Sequence, residues 1–183
     1  YGARASVAVG ILTTLLVVVL GSMIGAIAGF FGGWIDSVLS RITDIFFAIP
    51  LVLAAIVVMQ MFKEHRTIIT VVLVLGLFGW VSIARITRGA VVSIKNEEFV
   101  QSARSIGASS WRILFSHILP NAAAPIISYA TVALGTYIVA EATLSFLGIG
   151  LPPTFVSWGG DISDAQASLR VAPAVLFLSL IHI

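Results

Sequence analysis

Glu97-Glu98-Phe99-Val100-Gln101-Ser102-Ala103-Arg104-Ser105-Ile106-Gly107-Ala108-Ser109-Ser110-Trp111-Arg112-Ile113-Leu114-Phe115-Ser116-His117-Ile118-Leu119-Pro120 is a polar island in an apolar chain. The runs on either side, 67–84 and 121–140, hold no Asp, Glu, Lys or Arg. Each approaches the ~20 apolar residues that a helix needs to cross a bilayer. The island must therefore lie outside the hydrocarbon, tethered at both ends to spanning helices. This reading makes the chain an all-α, polytopic transmembrane helical bundle.

The island has its own helical grammar. Phe99, Val100, Ala103 and Ile106 recur at a spacing that predicts one helical face. Glu97 and Glu98 fall in the first turn, where carboxylates suit the helix dipole. Gly107 stands where a helix commonly ends in a left-handed residue. Ser109 or Ser110 can cap a second short helix, with Trp111, Leu114, Phe115 and Ile118 as its apolar face. Pro120 is expected to close that helix and open the next span. Two short helices at a glycine corner suit a protein socket. An interfacial amphipathic helix with Trp111 at the headgroups is the other reading.

Composition agrees with a membrane protein. The chain of 183 residues is 59% hydrophobic and 10% charged, whereas soluble domains carry about 25% charged residues. Its formal charge of +2 includes no basic run to neutralise phosphates, so nucleic acid is not an expected partner. With no cysteine there can be no disulfide, thiolate metal site or cysteine nucleophile. His65 and His182 are isolated, and no metal site is expected. The phosphate-cradling Gly-x-x-x-x-Gly-Lys-Ser/Thr pattern is absent, since Gly29–Gly33 lacks the lysine. No catalytic residues or bound cofactor are expected.

Outward from the island, residues 5–35 are free of Asp, Glu, Lys and Arg. They predict a helix over roughly 5–29, broken by Gly32-Gly33. Gly21, Gly25 and Gly29 fall at i, i+4 and i+8, a small-residue face that lets another helix approach closely. A second helix is expected from Trp34–Asp36 to about Phe62, kinked at Pro50. The polar turn Lys63-Glu64-His65-Arg66 follows, then a third span with Arg85 and Arg88 snorkelling near its end. Beyond the island, 121–140 leads to Glu141, which either lines a path or bonds to neighbouring backbone. A loop over 148–170 precedes a last apolar stretch from Val171. The chain reads as a single transmembrane domain over 1–183 with both ends missing.

If the island is cytoplasmic, Arg41, Arg85, Arg88, Lys95, Arg104 and Arg112 share its side, against Arg4, Lys63, Arg66 and Arg170 opposite. That asymmetry favours the cytoplasm for 97–120. A stand-alone secondary transporter or channel is the competing class. It would need ionisable groups paired at the midplane, and Glu141 is the one candidate.

The island resembles the cytoplasmic loop of inner-membrane permease subunits of binding-protein-dependent ABC transporters. That signature reads Glu-Ala-Ala, three residues, Gly, nine residues, Ile, one residue, Leu-Pro. Here Ala103, Gly107, Leu119 and Pro120 match, whereas Gln101, Ser102 and His117 depart. Tyr1-Gly2-Ala3-Arg4, Phe31-Gly32-Gly33-Trp34-Ile35-Asp36, Arg41-Ile42-Thr43-Asp44 and Glu141-Ala142-Thr143-Leu144-Ser145-Phe146-Leu147-Gly148 resemble the C-type permeases of dipeptide, oligopeptide and nickel systems. His-Ile-Leu-Pro-Asn at 117–121 is that subgroup's usual form. The resemblance covers roughly 1–176. The final residues lack the Pro-Gly step usual there and are expected to be non-native.

The resemblance implies a fold like that of type I ABC importer permeases and a multi-pass place in a prokaryotic inner membrane. It implies cytoplasmic ATPase subunits that use ATP and Mg, a second, B-type permease and an extracytoplasmic solute-binding protein. Residues 97–120 then form the coupling loop. Glu98, Phe99, Arg104 and Trp111 are expected to touch the ATPase, and Ala103 and Ala108 to permit close approach. Gly107 would set the corner, with Leu119 and Pro120 at the exit. Asp161 and Asp164 could meet the solute-binding protein or simply be solvated. Dipeptides, longer peptides and nickel complexes all remain open as solutes.

Overall fold

The structure is a computed structural model that describes residues 2–168. The apolar stretch from Val171, with Arg170, lies outside the described residues. Among these, the regular elements are α1 (Gly2–Phe31), α2 (Gly33–Phe47), α3 (Leu51–Met61), α4 (Ile68–Ile94), α5 (Glu98–Ser105) and α6 (Ser110–Ile113). A π-helical turn (Leu114–Ile118), α7 (Leu119–Asn121), α8 (Ala123–Phe146) and α9 (Trp158–Ser168) follow. Three helices, Ala3–Phe31, Ile68–Ile94 and Ala123–Phe146, are long and apolar enough to cross a membrane, with a fourth if α2 and α3 together make one broken span. Among the described residues the regular structure is all helical, and the chain is a multi-pass membrane protein.

The breaks follow from backbone chemistry. α1 stops where Gly32 and Gly33 take φ of 66° and 55°, left-handed values that only glycine reaches cheaply. The expected second helix is not kinked at Pro50 but interrupted. α2 ends at Phe47, and Pro50 adopts φ −60°, ψ 124° as the residue before α3. Proline has no N–H to continue the ladder and pushes its predecessor out of the α region, so the break falls just ahead of it. α8 ends in a left-handed Gly148, with Ile149 N–H and Gly150 N–H both donating to the carbonyl of Leu144.

The chain divides into two compact units. One comprises the described residues up to Thr14, with Pro50–Phe78 and those from Ala133 onward. Val9, Ala55, Met59, Val71, Leu75 and Leu144 are fully buried there. A Cβ on Gly10 of α1 would stand 2.5 Å from the Ile138 side chain of α8, so these helices meet closely. The other unit comprises Leu15–Ile49 and Gly79–Val132. Its apolar cluster is built from Ala26, Phe30, Val91, Val100, Ala103, Ile113, Leu114 and Ile118. The island is thus packed against the ends of two long helices rather than trailing free.

Candidate functional site

The island folds as α5, a corner, and a helical run from Ser110 to Asn121. Glu98 occupies the first turn of α5 and Arg104 the last, both favourable to the helix dipole. α5 ends in a paired-bond glycine cap. Gly107 N–H donates to Arg104 O at 2.9 Å and Ala108 N–H to Ala103 O at 3.0 Å, with Gly107 at φ 83°. Ser109 Oγ then accepts from Arg112 N–H at 3.4 Å to start α6.

The run after the corner is longer and less regular than the sequence suggests. Pro120 does not close it. Leu119 N–H reaches back five residues to Leu114 O, giving the π turn, and Ala122 N–H still bonds to Ile118 O at 2.9 Å. A proline at 120 denies Ser116 O its α-helical donor. The wider turn makes room for the ring, and Asn121 Nδ2 supplies a donor to His117 O at 2.6 Å.

The buried faces also differ from the periodic reading. Val100 and Ala103 are buried, but Phe99 is 42% and Ile106 86% exposed. After the corner Ile113, Leu114 and Ile118 are buried, whereas Trp111 and Phe115 are half-exposed and stack on each other, centroids 5.8 Å apart. Ala108 and Leu119 pack partly buried against the same cluster. Pro120 is exposed. Outwardly, Glu98, Gln101, Ser102, Ser105 and Ile106 line a shallow groove on α5.

Beside this segment α1 lies hard against α4. A Cβ on Gly21 would stand 2.6 Å from Trp80 O, one on Gly29 2.9 Å from Arg88 O, and one on Gly25 would overlap the Ala84 carbonyl. The three glycines meet α4 carbonyls that are themselves four residues apart, a registered backbone approach. Arg85 and Arg88 do not reach free into headgroups as expected. Arg85 Nη2 pairs with Asp44 Oδ1 at 2.7 Å, and Arg88 Nε with Asp36 Oδ1 at 2.5 Å. The partners come from α2. The signal available in the sequence was two acids on α2 facing two arginines on α4, but the antiparallel pairing needed the fold. A cavity of about 550 Å³ lies there, lined by Gly25, Ser40, Thr43, Asp44, Arg85 and Arg88.

Glu141 belongs to the other unit. It is fully buried, and its Oε1 accepts from Ser145 Oγ at 2.6 Å. Ser145 Oγ in turn accepts from Leu151 N–H at 3.2 Å, fastening the loop after α8 to that helix. Glu141 Oε2 is buried without a hydrogen-bond partner among the described residues. Arg66 Nη1 donates to Gly148 O at 2.7 Å and holds the same loop to the turn before α4. Asp161 and Asp164 line a cleft with Lys63, Glu64 and Arg66.

Long apolar helices and a structured helix–glycine–helix element between two of them define a multi-pass helical membrane protein. The chain belongs to the family of binding-protein-dependent transport system inner membrane components, whose model matches residues 21–183. It is 38% identical over 176 residues to the oligopeptide transport system permease protein OppC of Bacillus subtilis (strain 168), covering 96% of this chain and 57% of that protein. It is 37% identical over 180 residues to the glutathione transport system permease protein GsiD of Pectobacterium atrosepticum, covering 98% of this chain and 59% of that one. The chain spans less than three-fifths of the length of these curated relatives. Among solved structures, one titled as inward-facing conformations of the MetNI methionine ABC transporter shares the fold. Its TM-score is 0.80 at 18% identity, over 98% of this chain and 85% of that one.

Proposed function

We propose that this chain is a membrane-spanning subunit of an ATP-driven importer, forming half of a translocation path for peptides and docking through 97–120 onto a separate ATPase. The observation that carries the reading is the two-sided character of that segment. Its inner residues Val100, Ala103, Ile113, Leu114 and Ile118 are buried, while Phe99 in the first turn of α5 and Ile106 at its end stay exposed. Exposed apolar side chains on a structured element outside the long helices support a docking surface there.

In this reading Glu98, Phe99 and Arg104 meet the ATPase, Gly107 fixes the angle, and Ala103, Ala108 and Leu119 seat the segment on its own subunit. Pro120 leads into α8. ATP and Mg are used by the partner, and a second, B-type permease completes the path. A solute-binding protein delivers cargo on the face opposite the cytoplasm of a prokaryotic cell membrane. The names of the relatives support peptides, with nickel complexes or related small solutes as the wider class.

Affinity purification of the chain with its transport partners tests this. Recovery of an ATPase that is lost on Gly107→Trp supports it. Uptake driven by an ion gradient with no ATPase present would instead favour a stand-alone secondary transporter.

A further inference from the structure

The coupling segment is joined to the rest of its unit in two ways. The chain itself continues into α4 on one side and α8 on the other, which is the obvious route for a displacement. The second connection is not covalent, and it leads to α1.

Several independent contacts make that connection. Ala26 and Phe30, in the last turns of α1, sit in one apolar cluster with Val100 and Ala103 of α5 and Ile113, Leu114 and Ile118 of the second run. Phe31, the final residue of α1, meets the Trp111 ring edge-on at 5.6 Å, and Trp111 stacks on Phe115. The Arg104 guanidinium lies 5.8 Å over the Phe30 ring, within the range of a cation–π attraction. Lys95, at the foot of the segment, donates from Nζ to Gly29 O at 2.8 Å. A cation on the last carbonyls of a helix both satisfies an orphan acceptor and complements the dipole.

We propose that displacement of the coupling segment enters the bundle through the C-terminal end of α1, with Lys95 and the Phe31–Trp111 ring pair as the positioning residues. α1 is suited to receive it. Gly29 brings its last turns into backbone contact with Arg88 of α4, so this end cannot yield independently. Gly32 and Gly33 then break the helix, and the next residues carry the Asp36–Arg88 pair. A push on Phe31 therefore reaches α2 through a two-residue joint. Trp111, expected from the family resemblance to touch the ATPase, is half-exposed and also meets Phe31 of its own subunit. Lys95 lies outside the motifs that carry the family resemblance, and Phe31 opens the one at the end of α1.

The inference rests on the reading of 97–120 as the ATPase seat, and the test separates the two. The complete transporter, reconstituted in proteoliposomes, is measured for ATPase subunit recovery and for solute uptake per ATP hydrolysed. Phe31→Ala and Lys95→Met are expected to keep the ATPase subunit bound yet lower uptake per ATP by about tenfold. Lys95→Arg should restore it, and Phe31→Ala with Trp111→Ala together should be no worse than either alone, because they remove one shared contact. Unchanged uptake per ATP in Lys95→Met and Phe31→Ala, with the ATPase still bound, overturns the route through α1 and leaves the docking function standing. So does loss of the ATPase subunit in Trp111→Ala when Phe31→Ala retains it. Absence of any ATPase with the wild-type chain overturns both.

Discussion

Arg88 grips Asp36 with two parallel hydrogen bonds, Nε to Oδ1 at 2.5 Å and Nη2 to Oδ2 at 2.6 Å. The pair ties α2 to α4 across the sequence and stands beside the second bridge, Arg85 to Asp44. A forked guanidinium matches a carboxylate in a way that an ammonium cannot. Both side chains are partly exposed, at 42% and 22%, so solvent screens much of the attraction.

Arg88→Lys should accordingly destabilise the protein by about 1 kcal/mol despite keeping the charge. Asp36→Asn should do the same, and the exchange Asp36→Arg with Arg88→Asp should recover part of the loss. Thermal unfolding in detergent reads all three. Equal stability of wild type, Arg88→Lys and Asp36→Asn would show that the fork contributes nothing.

The α1–α4 contact makes a sharper demand. Gly25→Ala forces a Cβ into the Ala84 carbonyl and should cost about 2 kcal/mol. Gly89→Ala is the matched control on α4. It has nothing within 4 Å and should stabilise by about 0.5–1 kcal/mol as a helix-interior glycine. Should both substitutions leave the unfolding midpoint alone, the close approach of the two helices is wrong.

Gly107 is held by conformation rather than by space. Its φ is 83°, and a Cβ there would meet nothing within 4 Å. Gly107→Ala is thus expected to cost about 1–2 kcal/mol from the left-handed backbone alone, and Gly107→Asn less, since asparagine tolerates that region. An alanine variant as stable as wild type would contradict a fixed corner.

The relay from Glu141 through Ser145 to Leu151 N–H predicts that Ser145→Ala loosens the loop after α8. Leaving a buried carboxyl oxygen and a backbone N–H without partners costs about 1–3 kcal/mol each at most. Limited proteolysis within 148–157 should accelerate, with the α5–α6 corner unaffected. Unchanged cleavage there would remove the relay.

The spans were legible because long uncharged runs leave few alternatives in lipid, and Gly32-Gly33 and 63–66 punctuate them clearly. The corner at Gly107 was legible for the same reason, since a glycine between two amphipathic turns has a single common geometry. What covers each turn was not. Phe99 and Ile106 share a face with Val100 and Ala103 by spacing, yet only the latter two are buried. In so apolar a chain periodicity says little about which apolar residues find a partner. The π turn and the full break at Pro50 depend on how the local backbone accommodates a proline, which apolar periodicity does not encode. The Asp36–Arg88 and Asp44–Arg85 pairs needed two helices to be brought together, which no local pattern encodes.

The central claim, that 97–120 seats a separate ATPase, is tested most directly by cross-linking. The chain has no cysteine, so a single one reports cleanly. Ile106 is 86% exposed on the corner, and Val139 is 65% exposed on α8. In the assembled transporter, a bifunctional reagent on Ile106→Cys should yield an adduct with the ATPase subunit, and on Val139→Cys none. An ATPase that co-purifies but forms no adduct from Ile106→Cys, or forms it equally from Val139→Cys, would contradict the account.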